Sequence, residues 1–320
     1  MKNNSILRVE NLSKTFPIDK GIKRQYLHAV SDVSFEIEEG SIFGLVGESG
    51  CGKTTIARCL AGLERPTAGK VWFQNEEIGR LSQKAFLPWR KRIQIVFQDP
   101  LDSLNPRLSV RKTLLEPLNN HTSLSKGEKI DLINETMAIV GLRKEHLDRF
   151  AHQLSTGQQQ RVGIARATIC NPDFVVLDEP TSALDLSFRG RVLELLSDLQ
   201  KRFRITYIFI SHDLGVVWFF SKKTAVMYLG FIVESGPTKD LFEKPAHPYT
   251  KALISAIPKI DPESRTERII LKGEVPSPIN LPPGCPFYNR CPEAKQICST
   301  NRPKLAPILG ERMVACHWFS

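Results

Sequence analysis

The sequence predicts an α/β fold, and two observations carry that prediction. Apolar runs rich in β-branched residues alternate with stretches of helical periodicity. The later apolar runs are apolar throughout, the pattern of strands buried on both faces of a sheet. In chain order, residues 30–37, 42–46, 93–97, 174–177 and 205–210 are expected as strands. Residues 53–63, 129–140, 158–170 and 189–203 are expected as helices. The stretch between Asn105 and Phe150 is mostly polar and helical with no clear strand, which marks an inserted helical subdomain over 107–150. It interrupts a core of residues 1–106 and 151–256. From residue 257 the composition shifts to Pro and Cys, with Pro276, Pro278, Pro282 and Pro283 close together, so 257–320 is expected as a linker and a small extension. No repeat at a period of 20 to 50 residues is present, which excludes solenoids and propellers.

A chain of 320 residues is long enough for about two structural units. Its 41% hydrophobic and 24% charged residues exclude disordered, collagenous and coiled-coil classes. The most apolar region, 205–220, is broken by Ser211, His212 and Asp213, short of the roughly 18 uninterrupted apolar residues of a membrane span. Residues 1–10 reach only Ile6 and Leu7 before Arg8, so a secretory signal is not expected and the cytoplasmic side is. The net charge of +10 admits nucleic acid, anionic lipid or a phosphorylated ligand as a partner. The basic residues are nevertheless dispersed, with small clusters at 20–24 and 90–92, and a basic surface is the simpler account. Cys51, Cys59 and Cys170 are scattered, whereas Cys285, Cys291, Cys298 and Cys316 crowd the C-terminal extension.

The strand at 42–46 runs straight into Gly47-Glu48-Ser49-Gly50-Cys51-Gly52-Lys53-Thr54-Thr55, which fits the phosphate-loop pattern G-x-x-x-x-G-K-[ST]. Glycines let backbone N–H groups converge on phosphate oxygens, Lys53 adds a positive charge, and the Thr54 hydroxyl can ligate Mg²⁺. A plain Gly-rich turn would not require a strand before it and a helix after it. Cys51 is expected as a small filler. Far downstream, the strand at 174–177 ends in Asp178 and Glu179, where a Mg²⁺ ligand and a water-activating base are needed. Such acid pairs alone are commonly a solvated turn, and the phosphate loop upstream is what gives this one weight. A third strand ends at Ser211-His212-Asp213, placing a histidine at the sheet edge where ligands of open α/β sheets collect.

The segment Leu154-Ser155-Thr156-Gly157-Gln158-Gln159-Gln160-Arg161, lying shortly before the carboxylate strand, resembles the signature motif of ATP-binding-cassette ATPases. Gln98, in Val96-Phe97-Gln98-Asp99-Pro100, resembles that family's glutamine loop, and Ser182-Ala183-Leu184-Asp185 its dimer-contact loop. The resemblance runs from about Ile6 to Tyr228 and implies a P-loop NTPase core of the cassette type, with N-terminal antiparallel strands. It implies Lys53 and the loop amides on the β- and γ-phosphates of ATP. It also implies Mg²⁺ near Thr54, Gln98 and Asp178, Glu179 as general base, His212 as γ-phosphate sensor and Phe16 stacked on adenine, although Phe16 is equally placed for a core residue. The signature, with Ser155, Thr156, Gly157 and Gln158, would cap the nucleotide held by a partner subunit, and Ser182 and Asp185 would contact that subunit. The sequence departs from the family at Thr156, where a glycine is usual, and a working but asymmetric dimer is expected.

Glu243-Lys244-Pro245-Ala246-His247-Pro248-Tyr249-Thr250 resembles the junction in cassettes of oligopeptide, dipeptide and nickel importers, with His247 read as structural. The insertion at 17–26 is similar to one of the two cassette types of those systems. The partners implied are a second, non-identical cassette, two membrane permeases docking near 98–107 and an external solute-binding protein. The placement implied is peripheral, at the cytoplasmic face of the membrane. The four C-terminal cysteines are separated by five, six and 17 residues and lack the C-x₂-C spacing of structural zinc. Reduced cytosolic thiols in this pattern, and the family resemblance, lead to the expectation of a 4Fe-4S cluster, with Zn²⁺ the alternative. The expected activity is ATP hydrolysis that energises peptide import. The alternatives are a nickel or glutathione importer, or a soluble cassette ATPase acting on nucleic acid or ribosomes.

Overall fold

Alternating side chains build the N-terminal sheet. In the computed structural model, which describes residues 5–20, 23–257 and 268–319, the first elements are β1 (Ser5–Lys20), β2 (Lys23–Glu38), β3 (Ile42–Val46), α1 (Lys53–Leu60), β4 (Ala68–Phe73) and β5 (Glu76–Glu77). Leu7 and Val9 of β1 lie opposite Phe73 and Val71 of β4, and all four are buried, while Arg8 and Glu10 between them face outward. This period-2 pattern makes β1 and β4 strands of an antiparallel sheet ordered β2-β1-β4-β5; the family resemblance implied N-terminal antiparallel strands but not their order. The expected strand at 30–37 is the second half of the longer β2. The clusters and insertion expected around 17–26 include residues 21 and 22, and the linker after 257 includes 258–267; these lie outside the described residues.

The middle of the chain comprises β6 (Ile93–Val96), α2 (Pro100–Ser103), α3 (Val110–His121), α4 (Lys126–Ile139), α5 (Thr156–Thr168), β7 (Phe174–Asp178), α6 (Leu186–Phe203) and β8 (Thr206–Ser211). Strands β6, β7 and β8 are parallel, with Val96 opposite Leu177 and Leu177 opposite Phe209. Every residue of β7 and β8 is buried, as their unbroken apolar runs require. Burial contributes about 1.5–3 kcal/mol for each of their Val, Leu, Ile and Phe side chains. Helix α4 starts at a capping box in which Ser125 and Glu128 satisfy each other's backbone N–H.

The final elements are α7 (Leu214–Phe220), β9 (Lys223–Tyr228), β10 (Phe231–Pro237), α8 (Thr238–Glu243), α9 (Pro248–Ser255), α10 (Ile297–Thr300), β11 (Ala306–Pro307) and β12 (Met313–Val314). Strand β3 pairs in parallel with β9; β9 and β10, β10 and β12, and β12 and β11 pair antiparallel. Helix α7 crosses β3 at Gly44, where a Cβ would stand 2.6 Å from Val217 Cγ1. The chain divides into two compact units: Met1–Ile37, Ile42–Arg80 and Ser211–Ser320 form one, Glu38–Ser41 and Leu81–Ile210 the other. The C-terminal extension is thus part of the unit that carries the phosphate loop. Its Val314 and Cys316 pack with Ala246 in a small apolar cluster.

Candidate functional site

The phosphate loop hangs between β3 and α1, and its geometry demands glycine twice. Gly52, the residue before α1, has φ +109, and a Cβ there would lie 2.1 Å from the Ala29 carbonyl oxygen. At Gly47 a Cβ would lie 2.2 Å from the Met227 carbonyl oxygen. Lys53 opens α1 with its side chain turned back into the loop, 4% exposed, and its Nζ donates to the carbonyl oxygens of Gly47 at 2.8 Å and Glu48 at 3.0 Å. The positive charge therefore stands within the loop, beside the start of α1, whose N-terminal end also favours an anion. Cys51 is buried beneath the loop and its thiol is pushed up by burial, which keeps it neutral and fits the expected filler role. Thr54 is exposed at the start of α1, and Ser49 and Gly50 form the exposed tip.

Two other expected residues belong to the same unit. Phe16 on β1 is half-buried, not part of the core, with the Lys14 ammonium 4.8 Å from its ring centroid. His212 is exposed just beyond β8, where Asp213 caps α7 by accepting from the Val216 N–H at 3.3 Å.

In the second unit, β7 ends in Asp178, 2% exposed, and Glu179, which occupies the left-handed region at φ +47. Gln98, in the segment after β6, donates from Nε2 to Glu179 Oε2 at 3.2 Å. The Glu179 carbonyl accepts from the Ser182 amide at 3.2 Å and hydroxyl at 3.0 Å. Ser182 thus serves the carboxylate turn, and Asp185 caps the start of α6 through its carbonyl, which accepts from Phe188 and Arg189.

The signature segment opens α5. Ser155 is the cap, its hydroxyl accepting from the Gln158 amide at 3.4 Å while Gln158 Oε1 accepts from the Ser155 amide at 3.0 Å. Thr156 is the first helical residue, exposed and with negative φ, so the backbone here does not require the glycine usual at this place. Gly157 is closely approached by Phe188, 3.3 Å from where a Cβ would stand. Ser155, Gly157, Arg161, Phe188 and Arg191 line a cavity of about 450 Å³.

Cys285, Cys291, Cys298 and Cys316 gather in the extension, Cys285 within electrostatic reach of Cys298 and Cys316, and Cys291 of Cys285 and Cys316. Burial first, then neighbouring thiols, push Cys285 and Cys291 up to about 11. By donor chemistry the set suits a thiophilic metal. Among the described residues, however, no group of three or more His, Cys, Asp or Glu side chains stands in metal-holding geometry, so the expected 4Fe-4S site is not carried by this arrangement. His247 is structural as expected: fully buried, it caps α9 with Nδ1 accepting from the Tyr249 amide at 3.1 Å.

Two contacts to the loop had no counterpart in the sequence expectations. The Glu48 amide donates to Tyr249 Oη at 2.9 Å, and the Glu48 carboxylate pairs with Arg290 at 2.8 and 3.0 Å. The partners lie 201 and 242 residues apart, and a tyrosine after His-Pro or an arginine beside a cysteine carries no local sign of either pairing.

A family model for "ABC transporter" matches residues 30–182, and one for "Oligopeptide/dipeptide transporter, C-terminal region" matches residues 233–298. The chain is 46% identical over 322 residues to the putative oligopeptide transport ATP-binding protein YkfD of Bacillus subtilis (strain 168), covering 100% of this chain and 97% of that protein. It is 45% identical over 313 residues to the dipeptide transport ATP-binding protein DppF of Escherichia coli (strain K12), covering 97% and 93%. Similar solved structures include an ATP-binding cassette in a post-hydrolysis dimer bound to ADP and Pi, with a TM-score of 0.66 and 28% identity over 72% of this chain and 98% of that chain. Another is cbiO1 from Clostridium perfringens, part of the ABC transporter complex cbiONQ, with a TM-score of 0.66 and 30% identity over 76% and 92%.

Proposed function

This chain belongs to the ABC transporter family, among its oligopeptide and dipeptide ATP-binding subunits, and from that premise we propose that it hydrolyses ATP to energise import of peptides across the cytoplasmic membrane. The observation that carries the proposal is the buried Lys53 ammonium held inside a glycine-built loop that follows a strand and opens a helix. The division of labour along the chain follows: an ATPase core over 1–106 and 151–256, a helical subdomain over 107–150 and a C-terminal extension over 257–320.

In this mechanism the loop from Gly47 to Thr55 and Lys53 hold the β- and γ-phosphates, and Phe16 stacks on the adenine. Asp178, Thr54 and Gln98 offer the oxygen donors that Mg²⁺ prefers, and the ion when bound neutralises charge on the phosphates. Glu179 accepts a proton from the attacking water as its oxygen bonds to the γ-phosphorus and the bridging bond to the β-phosphate oxygen breaks, leaving ADP and phosphate. His212 holds the γ-phosphate in place. Ser155, Thr156, Gly157 and Gln158 close over the nucleotide of a second, non-identical cassette, with Ser182 and Asp185 at the contact. Closure moves two permeases docked near 98–107, to which an external binding protein delivers solute. Among the described residues no helix is long and apolar enough to cross a membrane, consistent with peripheral attachment through those permeases.

The test is reconstitution of the complete complex in lipid vesicles, with uptake of labelled peptides, nickel chelate and glutathione measured against ATP hydrolysis. ATP-dependent peptide uptake, lost on Glu179→Gln, supports the proposal, and uptake of nickel or glutathione alone reassigns the cargo. Failure to join the permeases, together with nucleic-acid binding of steep salt dependence, would replace it with the soluble-ATPase alternative. For the extension we propose a 4Fe-4S cluster on Cys285, Cys291, Cys298 and Cys316, supported by the donor chemistry of four cysteines gathered in one short segment, with Zn²⁺ the alternative. Anaerobic purification with iron, sulfide and zinc analysis decides: about four irons and four sulfides, lost in Cys291→Ser, support the cluster. A single zinc, or no metal, rejects it.

A further inference from the structure

We propose that helix α9 and the C-terminal extension together position the phosphate-binding loop, through Tyr249 and Arg290 respectively, and so set the affinity for the nucleotide. The proposal rests on the nucleotide-binding role proposed above and names two residues outside the loop on which that role depends.

Glu48 is the second residue of the loop, and it is held at both its side chain and its backbone. Arg290 Nη1 donates to Glu48 Oε2 at 2.8 Å and Nη2 to Oε1 at 3.0 Å, a two-pronged pair whose planar geometry fixes orientation as well as distance. The Arg290 side chain is only 9% exposed and lies over the Tyr228 ring, with its guanidinium carbon 5.8 Å from the centroid. The Glu48 side chain is 30% exposed, so the pair is only partly screened by water, less than the more exposed ion pairs elsewhere on the surface. From the other side, Tyr249 Oη accepts the Glu48 N–H at 2.9 Å. Tyr249 is fully buried, its ring centroid 4.7 Å from that of Tyr228 and 5.4 Å from that of Phe287, so its hydroxyl has little freedom to follow a moving loop.

The turn that presents Arg290 is itself closely bonded. The amides of Tyr288, Arg290 and Cys291 donate to the carbonyls of Cys285, Phe287 and Tyr288, and the Cys285 amide donates to the Cys298 carbonyl. Neither Arg290 nor Tyr249 belongs to the loop motif, so both are positioning residues. Their effect is to hold the loop in its phosphate-ready form before ATP arrives, which lowers the ordering cost that binding must otherwise meet. A second ion pair, Lys251 to Glu293 at 2.9 Å, also ties α9 to the extension but has no bond to the loop. It separates positioning of the loop from simple attachment of the extension.

The experiment is calorimetric titration of the full chain with Mg-ATP, paired with steady-state hydrolysis by the assembled complex. Arg290→Ala is expected to raise Kd and KM for ATP by about fivefold or more while kcat stays within about twofold, the pattern of lost binding that ground state and transition state share. Tyr249→Phe, which removes only the hydroxyl, should shift Kd in the same direction. Glu48→Arg combined with Arg290→Glu should recover most of the affinity, and Glu293→Gln should leave it unchanged. Should Arg290→Ala fail to fold, Glu48→Gln, which keeps the side chain's shape, must show the same rise in Kd. The proposal is overturned if Arg290→Ala or Glu48→Gln binds ATP like the native chain, or if Glu293→Gln weakens binding equally. A native chain that fails to bind ATP at all would sink the nucleotide-binding role itself, and this proposal with it.

Discussion

Gln98 Nε2 donates to Glu179 Oε2 at 3.2 Å, so the segment after β6 reaches across to the carboxylate at the end of β7, its parallel neighbour. The backbone of Glu179 is fixed from three further directions, by its own N–H on the Ile210 carbonyl at 3.0 Å and by the Ser182 amide and hydroxyl on its carbonyl. These bonds hold a non-glycine residue at φ +47, a conformation costing on the order of 1–3 kcal/mol. Glu179→Gln keeps the shape and the contact to Gln98 but removes the proton acceptor. Hydrolysis is expected to fall by about 10²–10⁴-fold with ATP affinity preserved. Phosphate release measured beside calorimetric binding separates the two, and equal losses in both would remove Glu179 from the role of base.

The strain itself has a separate signature. At Glu179 the left-handed conformation penalises any Cβ, so Glu179→Gly should unfold at higher temperature than Glu179→Ala, by the equivalent of about 1 kcal/mol. Thermal unfolding of the two variants reads this directly, and identical midpoints would mean that the turn relaxes once the carboxylate is gone.

Within the phosphate loop, two glycines with positive φ should respond differently to one methyl group. Gly52→Ala drives a Cβ to 2.1 Å from the Ala29 carbonyl oxygen, so the loop must move and ATP binding should be lost. Gly50 sits at φ +76 with nothing within 4 Å of an added methyl, so Gly50→Ala meets only the backbone penalty of about 1 kcal/mol. Titration of both variants with Mg-ATP checks the contrast, which fails if Gly50→Ala is the weaker binder.

The parts of the fold legible in the sequence are those whose signal is local. Strands β7 and β8 are unbroken apolar runs because both faces are buried, and the phosphate loop is contiguous, so its strand, glycines and lysine read together. Strands β1 and β4 carry a clear alternation at Leu7 to Glu10 that a search for apolar runs passes over, since Arg8 and Glu10 interrupt it. Gln98 and Glu179 are 81 residues apart, and only resemblance to a family puts them in one site; spacing does not. The pairing of Arg290 and Tyr249 with Glu48 escaped, because it is fixed by tertiary packing of α9 and the extension and leaves no trace in either residue's own neighbourhood. The same holds for buried Glu234, which accepts from the amides of Ala246 and His247 and from Arg312.

Thr156 is a departure from the family pattern that the local backbone tolerates. It stands at the first position of α5 with negative φ, so Thr156→Gly relieves no strain and should change this chain's own stability by less than about 1 kcal/mol. If its side chain restricts closure over the partner's nucleotide, the effect belongs to the assembled pair. Hydrolysis by the complete complex should then rise while ATP binding by the isolated chain stays the same. A fall in isolated-chain affinity would place Thr156 in its own subunit's site.

His247 should make the protein acid-sensitive in a defined window. The imidazole is fully buried at the start of α9, with its Nδ1 accepting from the Tyr249 amide, Phe287 against its ring at 5.6 Å between centroids and the Lys251 charge nearby. Burial, and then Lys251, lower its pKa from 6.5 to about 3. The folded state therefore keeps the ring neutral while the unfolded chain binds a proton below pH 6.5, so the unfolded state gains protons and stability falls as pH falls. The loss runs at up to about 1.4 kcal/mol per pH unit from 6.5 down towards 3, and is absent above 6.5, where both states are neutral. Carboxylates also titrate in acid, but they do so in every variant. The difference between the native chain and His247→Asn, which keeps a capping side chain but no titrating ring, isolates the histidine. Denaturant unfolding at a series of pH values should show that difference changing with pH below 6.5 and constant above it. A constant difference throughout would mean that His247 carries its proton into the folded state.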